Sequence, residues 1–386
     1  MDLTNKRIGL ALSGGGIRAA IFHLGVLDYL ARAGLFKQIS YLSTVSGASM
    51  AIGLLLAENN NRWPSEETFL TKTLPAIKNT ILRENIQRSA LLRLPFSPMH
   101  WRHRVNLLAK MLEDKWGIKG NLQDIPTFPF WEINCTTFET GNNFRIRRDY
   151  MGDSKVGYVR NPNIPISHVV AASAAFPVLI GPYVLKTNPF AWTKNKIGAE
   201  IPVTPAAKYT LWDGGVYDNL GLDPLHKTGR GLDKEVDFLL VSNASAPMNY
   251  KRRQGRVSIS NLRRLLEISQ NQVDVLRTRE VLSSIIMKGL GLYYKIGYTA
   301  GQFATLLGIP EDKIRHLTKK SLTEKETDFV SRYPTTLNSP KEKDFNLIFR
   351  HGHENAESVF FMANLLSPQG TKKLSKEILS NGRNSS

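Results

Sequence analysis

The chain reads IGLALSGGGIRAAIFHLGVLDYLARAGLFKQISYLSTVSGASMAIGLLLA over residues 8–57. Ile8–Leu12 is a short apolar run that ends in a glycine turn, as expected for a buried parallel strand. Apolar residues then recur at helical spacing through residues 19–33. Ile39–Val45 reads as the next strand, and residues 49–58 read as the next helix. Strand, helix, strand and helix joined by short links predict a parallel sheet with helices on its faces.

Similar signals continue to the C-terminal region. Further strands are predicted at Phe130–Thr137, 144–147, 209–212 and 237–242, and further helices at 166–175, 260–287 and 343–365. We therefore predict one α/β domain over residues 1–386, a three-layer sandwich with a mostly parallel central sheet. Within it, residues 59–129 are interpreted as a helical insertion, residues 244–330 as a helical cap or lid, and residues 375–386 as a polar tail.

The composition limits the class of protein. The 386 residues are 42% hydrophobic, which is enough for a sizeable core, and Lys plus Arg exceed Asp plus Glu by 51 to 33, giving a net charge of +18. This charge favours phosphate-bearing partners, namely an anionic membrane surface, lipid head groups, nucleotides or nucleic acid. A single cysteine, Cys135, excludes an internal disulfide framework and a cysteine-based zinc site. No signal peptide or clean spanning helix is apparent, so we expect a soluble or peripheral protein of the cytoplasm.

Ser46 lies between a predicted strand and a predicted helix, with Gly47 and Ala48 after it. A nucleophilic serine on such a turn needs small neighbours, because the backbone is tight and the hydroxyl must protrude. The usual pattern is G-x-S-x-G, whereas Thr44 and Ala48 replace both outer glycines here. The alternative is a serine that caps the following helix.

Three consecutive glycines, Gly14, Gly15 and Gly16, follow the first strand. Their exposed N–H groups can bind a phosphate or hold an oxyanion. The spacing fits neither a dinucleotide fingerprint nor a P-loop. Arg18 places a positive charge at a helix start, where the helix dipole disfavours it, and this indicates use for a phosphate or an oxyanion. The alternative is a tight turn with Arg18 on the surface.

The base that would activate Ser46 must come from elsewhere in the chain. None of the eight histidines follows a predicted strand in a convincing turn, so a Ser-His-Asp triad is disfavoured. Asp213 follows an apolar strand and precedes Gly214 and Gly215, which predicts a carboxylate at the C-terminal edge of the sheet, where active sites of parallel sheets lie. The alternative is an ordinary Asp-Gly turn.

Together these motifs resemble the patatin-like phospholipases and acyl hydrolases. Residues 13–19 (SGGGIRA) resemble the family's oxyanion loop, and the arginine variant is similar to the loop of cytosolic phospholipase A2. Ser46 matches the nucleophile of the elbow, and residues 213–215 match the D-G-G/A motif of a Ser-Asp dyad. Residues 170–177 (VAASAAFP) resemble the A-S-x-A-x-P segment of the family. The glycine loop, the serine and the aspartate also occur in the family's order.

The resemblance implies a patatin-like fold and a serine lipid acyl hydrolase that cleaves phospholipid esters. Asp213 would take the proton of Ser46 directly, and the N–H groups of Gly14 to Gly16, with Arg18, would hold the oxyanion. The scheme needs neither a metal nor a cofactor, and we predict independence from calcium. A pKa raised by burial is expected for Asp213, since an ordinary carboxylate is a weak base at neutral pH.

The net charge suits docking on an anionic membrane, so a peripheral location at its inner face is expected. The resemblance also allows a regulated membrane-degrading effector, and it leaves open a nucleotide or protein activator and an oligomer. A second class is a non-enzymatic module that binds phosphate, nucleotide or nucleic acid through the glycine loop and basic surface. Nucleic acid is disfavoured, because the sequence has no aromatic-basic motif that reads bases. A third reading, an inactive scaffold, conflicts with the presence of both Ser46 and Asp213.

Overall fold

A computed structural model describes residues 2–93, 104–177, 180–248 and 258–366. The strands, in chain order, are β1 (Ile8–Leu12), β2 (Ile39–Val45), β3 (Phe130–Thr137), β4 (Asn143–Ile146), β5 (Tyr150–Asp153), β6 (Gly157–Arg160), β7 (Tyr183–Lys186), β8 (Trp192–Thr193), β9 (Lys208–Asp213), β10 (His226–Lys227), β11 (Gly231–Leu232), β12 (Phe238–Asn243) and β13 (Gly291–Lys295). The helices are α1 (Gly16–Arg32), α2 (Gly47–Ala57), α3 (Glu66–Thr68), α4 (Leu74–Arg83), α5 (Ile86–Arg93), α6 (Arg104–Trp116), α7 (Ile166–Ser173), α8 (Gly215–Asp218), α9 (Ile259–Val281), α10 (Ala300–Leu307), α11 (Glu311–Thr318), α12 (Glu324–Ser331) and α13 (Glu342–Leu365).

The central sheet has a parallel half and an antiparallel half. In the parallel half the strand order is β13-β12-β1-β2-β3, and every neighbouring pair is parallel. From β3 the sheet continues through β4, β5, β6 and β8 in antiparallel pairs, and β9 pairs antiparallel with both β3 and β7. Short turns join each strand from β3 to β5 to the next one in the chain, and a short turn can join only antiparallel strands.

Two apolar clusters cover the two faces of the parallel half. Leu10 and Leu12 belong to the larger cluster, with residues of α1, α2, α7 and α13, whereas Ala11 belongs to the smaller one. The smaller cluster includes Val281 and Ile285, at the C-terminal end of α9 and just beyond it. Successive residues of a strand point to opposite faces, so every position of β1 is buried, as the run of apolar residues predicts.

The α/β fold class is confirmed, with a central sheet between helical layers. The structure reproduces the predicted bounds of β2 and β3 and places the other predicted strands and helices within a few residues. Residues 244–330, predicted as a helical cap, also contribute β13 to the sheet, because Gly291 lets this strand approach β12: a Cβ there would lie 2.0 Å from the Leu239 carbonyl oxygen. The predicted tail at 375–386 lies outside the described residues.

Helices predominate in the described part of residues 59–129, where α3 to α6 lie. In the described ranges, no helix combines the length and the apolar character that crossing a bilayer requires.

Candidate active site

Ser46 occupies a tight turn between the C-terminal end of β2 and the first residue of α2. Its φ of 54° and ψ of −117° are rare for a residue with a side chain, and such strain clusters at functional turns. The next residue must be glycine, since a Cβ on Gly47 would lie 2.0 Å from the Gly16 carbonyl oxygen. The turn of Ser46 is therefore packed directly against the glycine loop.

Thr44 and Ala48 depart from the G-x-S-x-G pattern, and the structure shows how both side chains are accommodated. The Thr44 hydroxyl lies 2.9 Å from the Ser49 hydroxyl and accepts a hydrogen bond of 2.9 Å from the indole N–H of Trp131. Ala48 is fully buried in the larger apolar cluster. Position 44 thus accommodates a threonine because its side chain joins a buried polar network.

Ser173, the last residue of α7, connects that network to the turn. Its hydroxyl accepts the N–H of Ser46 at 3.0 Å and donates to the Asn134 carbonyl at 2.8 Å. It also lies 2.9 Å from the Ser49 hydroxyl. The strained backbone of Ser46 is therefore fixed by a buried side chain that the VAASAAFP segment contributes.

Asp213 reaches the same region from β9, and it is only 3% exposed. Its N–H donates to the Ala175 carbonyl at 3.1 Å, and its carbonyl accepts from the Thr136 hydroxyl at 2.9 Å. The sequence predicts Asp213 at the C-terminal edge of parallel strands, but β9 runs antiparallel to β3, with Asp213 opposite Cys135. The antiparallel half of the sheet thus supplies the carboxylate.

Burial raises the pKa of Asp213 to about 6, because the charged carboxylate loses its hydration. The N–H of Gly215 donates to Asp213 Oδ1 at 2.7 Å, and the Ser46 hydroxyl faces the same carboxyl group; both oppose part of the rise. No cation contributes to this shift. An isolated carboxyl group with a pKa near neutral is suited to accept and return a proton.

Gly214 makes the close turn after Asp213 possible. A Cβ on Gly214 would lie 2.4 Å from the Asn134 carbonyl oxygen, and one on Gly215 would lie 3.1 Å from Asp213 Oδ1. The two glycines of the predicted dyad turn therefore allow the carboxyl group to lie against the backbone.

The glycine loop offers two N–H groups rather than three. The N–H of Gly14 donates to the Asn219 carbonyl at 3.0 Å and is already used. The N–H groups of Gly15 and Gly16 have no acceptor among the described residues. Both glycines adopt positive φ, 142° and 62°, and Gly16 begins α1, whose N-terminus favours negative charge. Of the three N–H groups predicted to hold an oxyanion, those of Gly15 and Gly16 therefore remain as candidates.

Asn219 is a site residue that the sequence analysis missed. Its side-chain oxygen lies between the glycine loop and the dyad turn, since it would be 2.5 Å from a Cβ on Gly14 and 2.7 Å from one on Gly215. Its amide nitrogen donates to the Ser245 hydroxyl at 2.8 Å. The sequence signal for it is weak: Asn219 is polar and lies six residues after Asp213.

Arg18 is buried, with 2% of its surface exposed, so the surface alternative is wrong. Its Nε donates to the Ala244 carbonyl at 3.1 Å and its Nη1 donates to the Tyr333 carbonyl. Burial lowers the pKa of Arg18 to about 10, and no carboxylate opposes this shift. Arg18 packs beneath the loop, with Nη2 3.0 Å from the position of a Cβ on Gly15, and positions it.

His23 lies next to the glycine loop and has a structural role there. His23 is fully buried and hydrogen-bonds to the Ser13 carbonyl and the Ser242 hydroxyl, each at 2.9 Å. Burial lowers the pKa of His23 to about 4, so it is neutral and structural. In the ranges that the structure describes, no three His, Cys, Asp or Glu side chains form a group that could hold a metal ion.

A family model described as patatin-like phospholipase matches residues 10–226, more than half of the chain. The chain belongs to the patatin-like phospholipase family. The match includes the glycine loop, Ser46, Asp213 and Asn219, whereas Tyr333 lies beyond its end. The family thus covers the residues that the sequence motifs singled out.

Similarity to individual proteins is more limited. Cytosolic phospholipase A2 gamma from Mus musculus is 46% identical over 55 residues, which are 14% of this chain and 9% of that protein. The structure of human GIVD cytosolic phospholipase A2 matches with a TM-score of 0.51 and 14% identity, over 96% of this chain and 60% of that chain. VipD from Legionella pneumophila matches with a TM-score of 0.41 and 14% identity, over 92% of this chain and 66% of that chain.

At such identities the human structure shows a shared fold alone. This patatin-like chain spans 60% of that solved chain, and the aligned part of the mouse protein is shorter still. The chemistry must therefore be argued from the site itself. The site combines a hydroxyl on a strained turn, a carboxyl group with a pKa near neutral and two unpaired N–H groups, which are the parts that acyl transfer requires.

Proposed function

We propose that the chain is a serine lipid acyl hydrolase that cleaves ester bonds of glycerophospholipids through Ser46 and Asp213. The observation that supports this most is the strained turn of Ser46 facing a carboxyl group that no cation neutralises. Such a carboxyl group stays basic enough to receive the serine proton. The patatin-like family membership supports the lipid ester as the substrate class.

The proposed reaction has two halves. Asp213 accepts the Ser46 proton while Ser46 Oγ attacks the ester carbonyl carbon, and the N–H groups of Gly15 and Gly16 stabilise the oxyanion. The tetrahedral intermediate then collapses, the lysophospholipid leaves as an alcohol with the proton from Asp213, and the acyl group remains on Ser46. Water enters, gives a proton to Asp213 and attacks the acyl carbonyl. Collapse releases the fatty acid, and Asp213 returns its proton to Ser46.

The test compares wild type, Ser46→Ala and Asp213→Asn on mixed phospholipid vesicles, with fatty acid release as the readout. Ser154→Ala is the matched control, because Ser154 is exposed on the turn after β5, three strands away from β2 in the sheet. We expect both site variants to lose release while the control retains it. An alkyl fluorophosphonate should add its mass to Ser46 in wild type only. Release that survives both site substitutions would exclude the dyad.

The same assay separates the alternative, a non-enzymatic module that binds phosphate, nucleotide or nucleic acid. That module would release no fatty acid, and its binding would survive Ser46→Ala and fall steeply with salt. No contact in the described residues favours it over the hydrolase.

Binding at an anionic membrane surface is part of the proposal. Leu262, Leu265 and Leu276 of α9 are 57%, 60% and 60% exposed, and the chain has a net charge of +18. Exposed leucines on a helix beside α8, which follows Asp213, suit insertion into a bilayer whose negative charge attracts the protein. Replacing all three with serine should weaken sedimentation with anionic vesicles and leave hydrolysis of a water-soluble ester intact.

A further hypothesis, which comes from the family resemblance, is that the protein is a membrane-degrading effector whose activity is regulated. It predicts that vesicle hydrolysis changes when a cyclic nucleotide activator is added. Equal rates with and without each candidate nucleotide would remove it.

A further inference from the structure

Two cations converge on consecutive carbonyl groups beside the glycine loop. Arg18 Nε donates to the Ala244 carbonyl at 3.1 Å, and Lys295 Nζ donates to the Ser245 carbonyl at 3.3 Å. Arg18 comes from the start of α1, and Lys295 is the last residue of β13. The loop after β12 therefore brings together two positive charges that lie far apart in the chain.

Hydrogen bonds connect this pair of cations to the proposed oxyanion site. The Ser245 hydroxyl accepts from the side-chain amide of Asn219 at 2.8 Å, and the Asn219 carbonyl accepts the N–H of Gly14 at 3.0 Å. The parallel register also places Lys295 opposite Asn243, at the C-terminal edge of the parallel strands, where Ser46 follows the last residue of β2. Lys295 and the glycine loop thus share one edge of the sheet.

The charges of this cluster are not balanced. Among the described residues, the hydrogen-bond partners of Arg18 are carbonyl groups, and its positive charge repels that of Lys295. The pKa of Lys295 is lowered chiefly by burial and further by Arg18. Asp274 is the carboxylate that acts on Lys295, and one of its oxygens accepts from the Asn243 amide at 3.3 Å. In the described part of the chain, two cations and one carboxylate leave one positive charge in a partly desolvated place, which an anion would neutralise.

The ammonium group of Lys295 has N–H donors available for a ligand. It has three such donors, and within the described ranges the Ser245 carbonyl accepts one of them. Lys295 is partly exposed, whereas Arg18 is buried. A ligand can therefore contact Lys295, and the charge of Arg18 acts on the same group from within the protein.

We propose that Lys295 binds the phosphodiester of the glycerophospholipid substrate and, with the charge of Arg18 behind it, makes the site prefer phospholipids over uncharged glycerides. This rests on the proposed function. In a glycerophospholipid the phosphate is a few bonds from the ester carbonyls, so a cation near the oxyanion loop can meet it while Ser46 meets the ester. A charge-assisted contact of this kind discriminates by about ten- to a hundredfold.

The test measures kcat/KM for phosphatidylglycerol and for diacylglycerol with the same acyl chains, both in neutral detergent micelles. Wild type is compared with Lys295→Met, Lys295→Arg and the surface control Lys155→Met, since Lys155 is exposed on the β5–β6 turn. We expect Lys295→Met to lower the phosphatidylglycerol-to-diacylglycerol ratio at least tenfold, mainly through KM. Lys295→Arg should restore most of the ratio, and Lys155→Met should not change it.

The diacylglycerol rate shows whether each variant is folded and has a working Ser46. A parallel loss on both substrates in Lys295→Met would mean a structural role, and an unchanged ratio would mean no contact; either result overturns the inference. Absence of hydrolysis of any ester by wild type would instead refute the proposed function. Inorganic phosphate is added to a water-soluble ester assay as a probe: inhibition that Lys295→Met relieves shows that phosphate alone binds, and a lowered ratio without inhibition shows that the lipid is needed.

Discussion

Glu132 of β3 and Asp213 of the neighbouring strand β9 are both buried carboxylates, and their surroundings shift their pKa values in opposite directions. Asp213 is 3% exposed and has a pKa raised to about 6, whereas Glu132 is fully buried and its pKa is lowered. Burial alone raises the pKa of a carboxyl group, so the difference lies in the neighbours. The comparison shows how one sheet raises the pKa of one buried carboxyl group and lowers that of another.

Glu132 is surrounded by groups that stabilise its negative charge. Burial raises its pKa, but the cations Arg145 and Lys196 and the hydroxyls of Tyr150 and Tyr41 outweigh that effect. Both tyrosine hydroxyls donate to the same carboxylate oxygen, Tyr150 at 2.6 Å. Glu132 is therefore ionised and already paired, so it cannot serve as a base near neutral pH.

Asp213 has the opposite surroundings. It receives one backbone N–H, that of Gly215, and faces the Ser46 hydroxyl. The buried thiol of Cys135 lies opposite it on the paired strand, and the charge of Asp213 contributes to the raised pKa of that thiol. Neither Arg18 nor Lys295 contributes to the pKa of Asp213, so its carboxyl group keeps the basicity that burial gives it.

The largest expected effect is on catalysis. Asp213→Asn removes the base while keeping the shape, so we expect the rate of phospholipid hydrolysis to fall by about 10²–10⁴-fold. Glu132→Gln is the matched substitution on the other carboxylate, and the folded fraction of that variant should hydrolyse at nearly the wild-type rate. Initial rates per folded molecule, with the folded fraction measured by near-UV circular dichroism, test both. Equal losses of rate in the two variants would contradict the different roles proposed for the two carboxyl groups.

The second expected effect is on stability, and its sign differs between the two carboxylates. The folded-state pKa of Asp213 is raised from 3.8 to about 6, so its ionisation destabilises the fold above pH 6. Asp213→Asn should therefore be more favourable for stability at pH 8 than at pH 4. The change in the free energy of unfolding on substitution should be larger at pH 8 by up to about 3 kcal/mol. Urea denaturation at both pH values measures this.

Glu132→Gln should do the reverse. The pKa of Glu132 is lowered, so its charge stabilises the fold above its unfolded-state pKa, and this contribution is lost as the pH falls below that value. Removing the charge leaves Arg145 and Lys196 with less compensation, at a cost of about 3–5 kcal/mol at pH 8. If both variants shift the free energy of unfolding in the same direction at pH 8, the opposite pKa shifts assigned to the two carboxyl groups are contradicted.

The third expected effect is the pH dependence of the reaction. Because the proton acceptor must be ionised, kcat/KM should fall about tenfold for each pH unit below about 6. The profile should be measured with an uncharged ester between pH 4.5 and 8, so that titration of a lipid phosphate does not contribute. A flat profile down to pH 4.5 would assign Asp213 an ordinary pKa and remove the proposed environment.

The strand and turn signals in the sequence predicted the fold and the location of the candidate residues well. The strand that precedes Ser46 and the strand β3 have the predicted bounds, since continuous apolar runs between turns leave little choice. The raised pKa of Asp213 was also predicted, because an ordinary carboxylate is too weak a base at neutral pH for the proposed role. β13 was not predicted, because its glycine-rich sequence lies among helical segments and only β12 gives it a partner.

The hydrogen-bond partners within the site could not be predicted. The sequence shows that Gly14 has an N–H group, but not that the Asn219 carbonyl accepts it. Arg18 has partners 226 and 315 residues away, and a long cation at a helix start is ordinarily exposed. Such contacts depend on tertiary packing, which brings backbone carbonyls from the end of the chain to its first turn.

The smallest expected effect concerns the hydrogen bonds that fix the turn rather than the charges. Ser173→Ala removes the acceptor of the Ser46 N–H and the donor to the Asn134 carbonyl, so a strained backbone loses its restraint. We expect hydrolysis to fall about tenfold and the free energy of unfolding to fall by about 1–3 kcal/mol. Ser167→Ala, in the same helix and equally buried, controls for the loss of a hydroxyl. If the two variants lose the same stability and neither loses activity, the turn is held without Ser173, and only the isolation of Asp213 distinguishes this site from the paired carboxylate of Glu132.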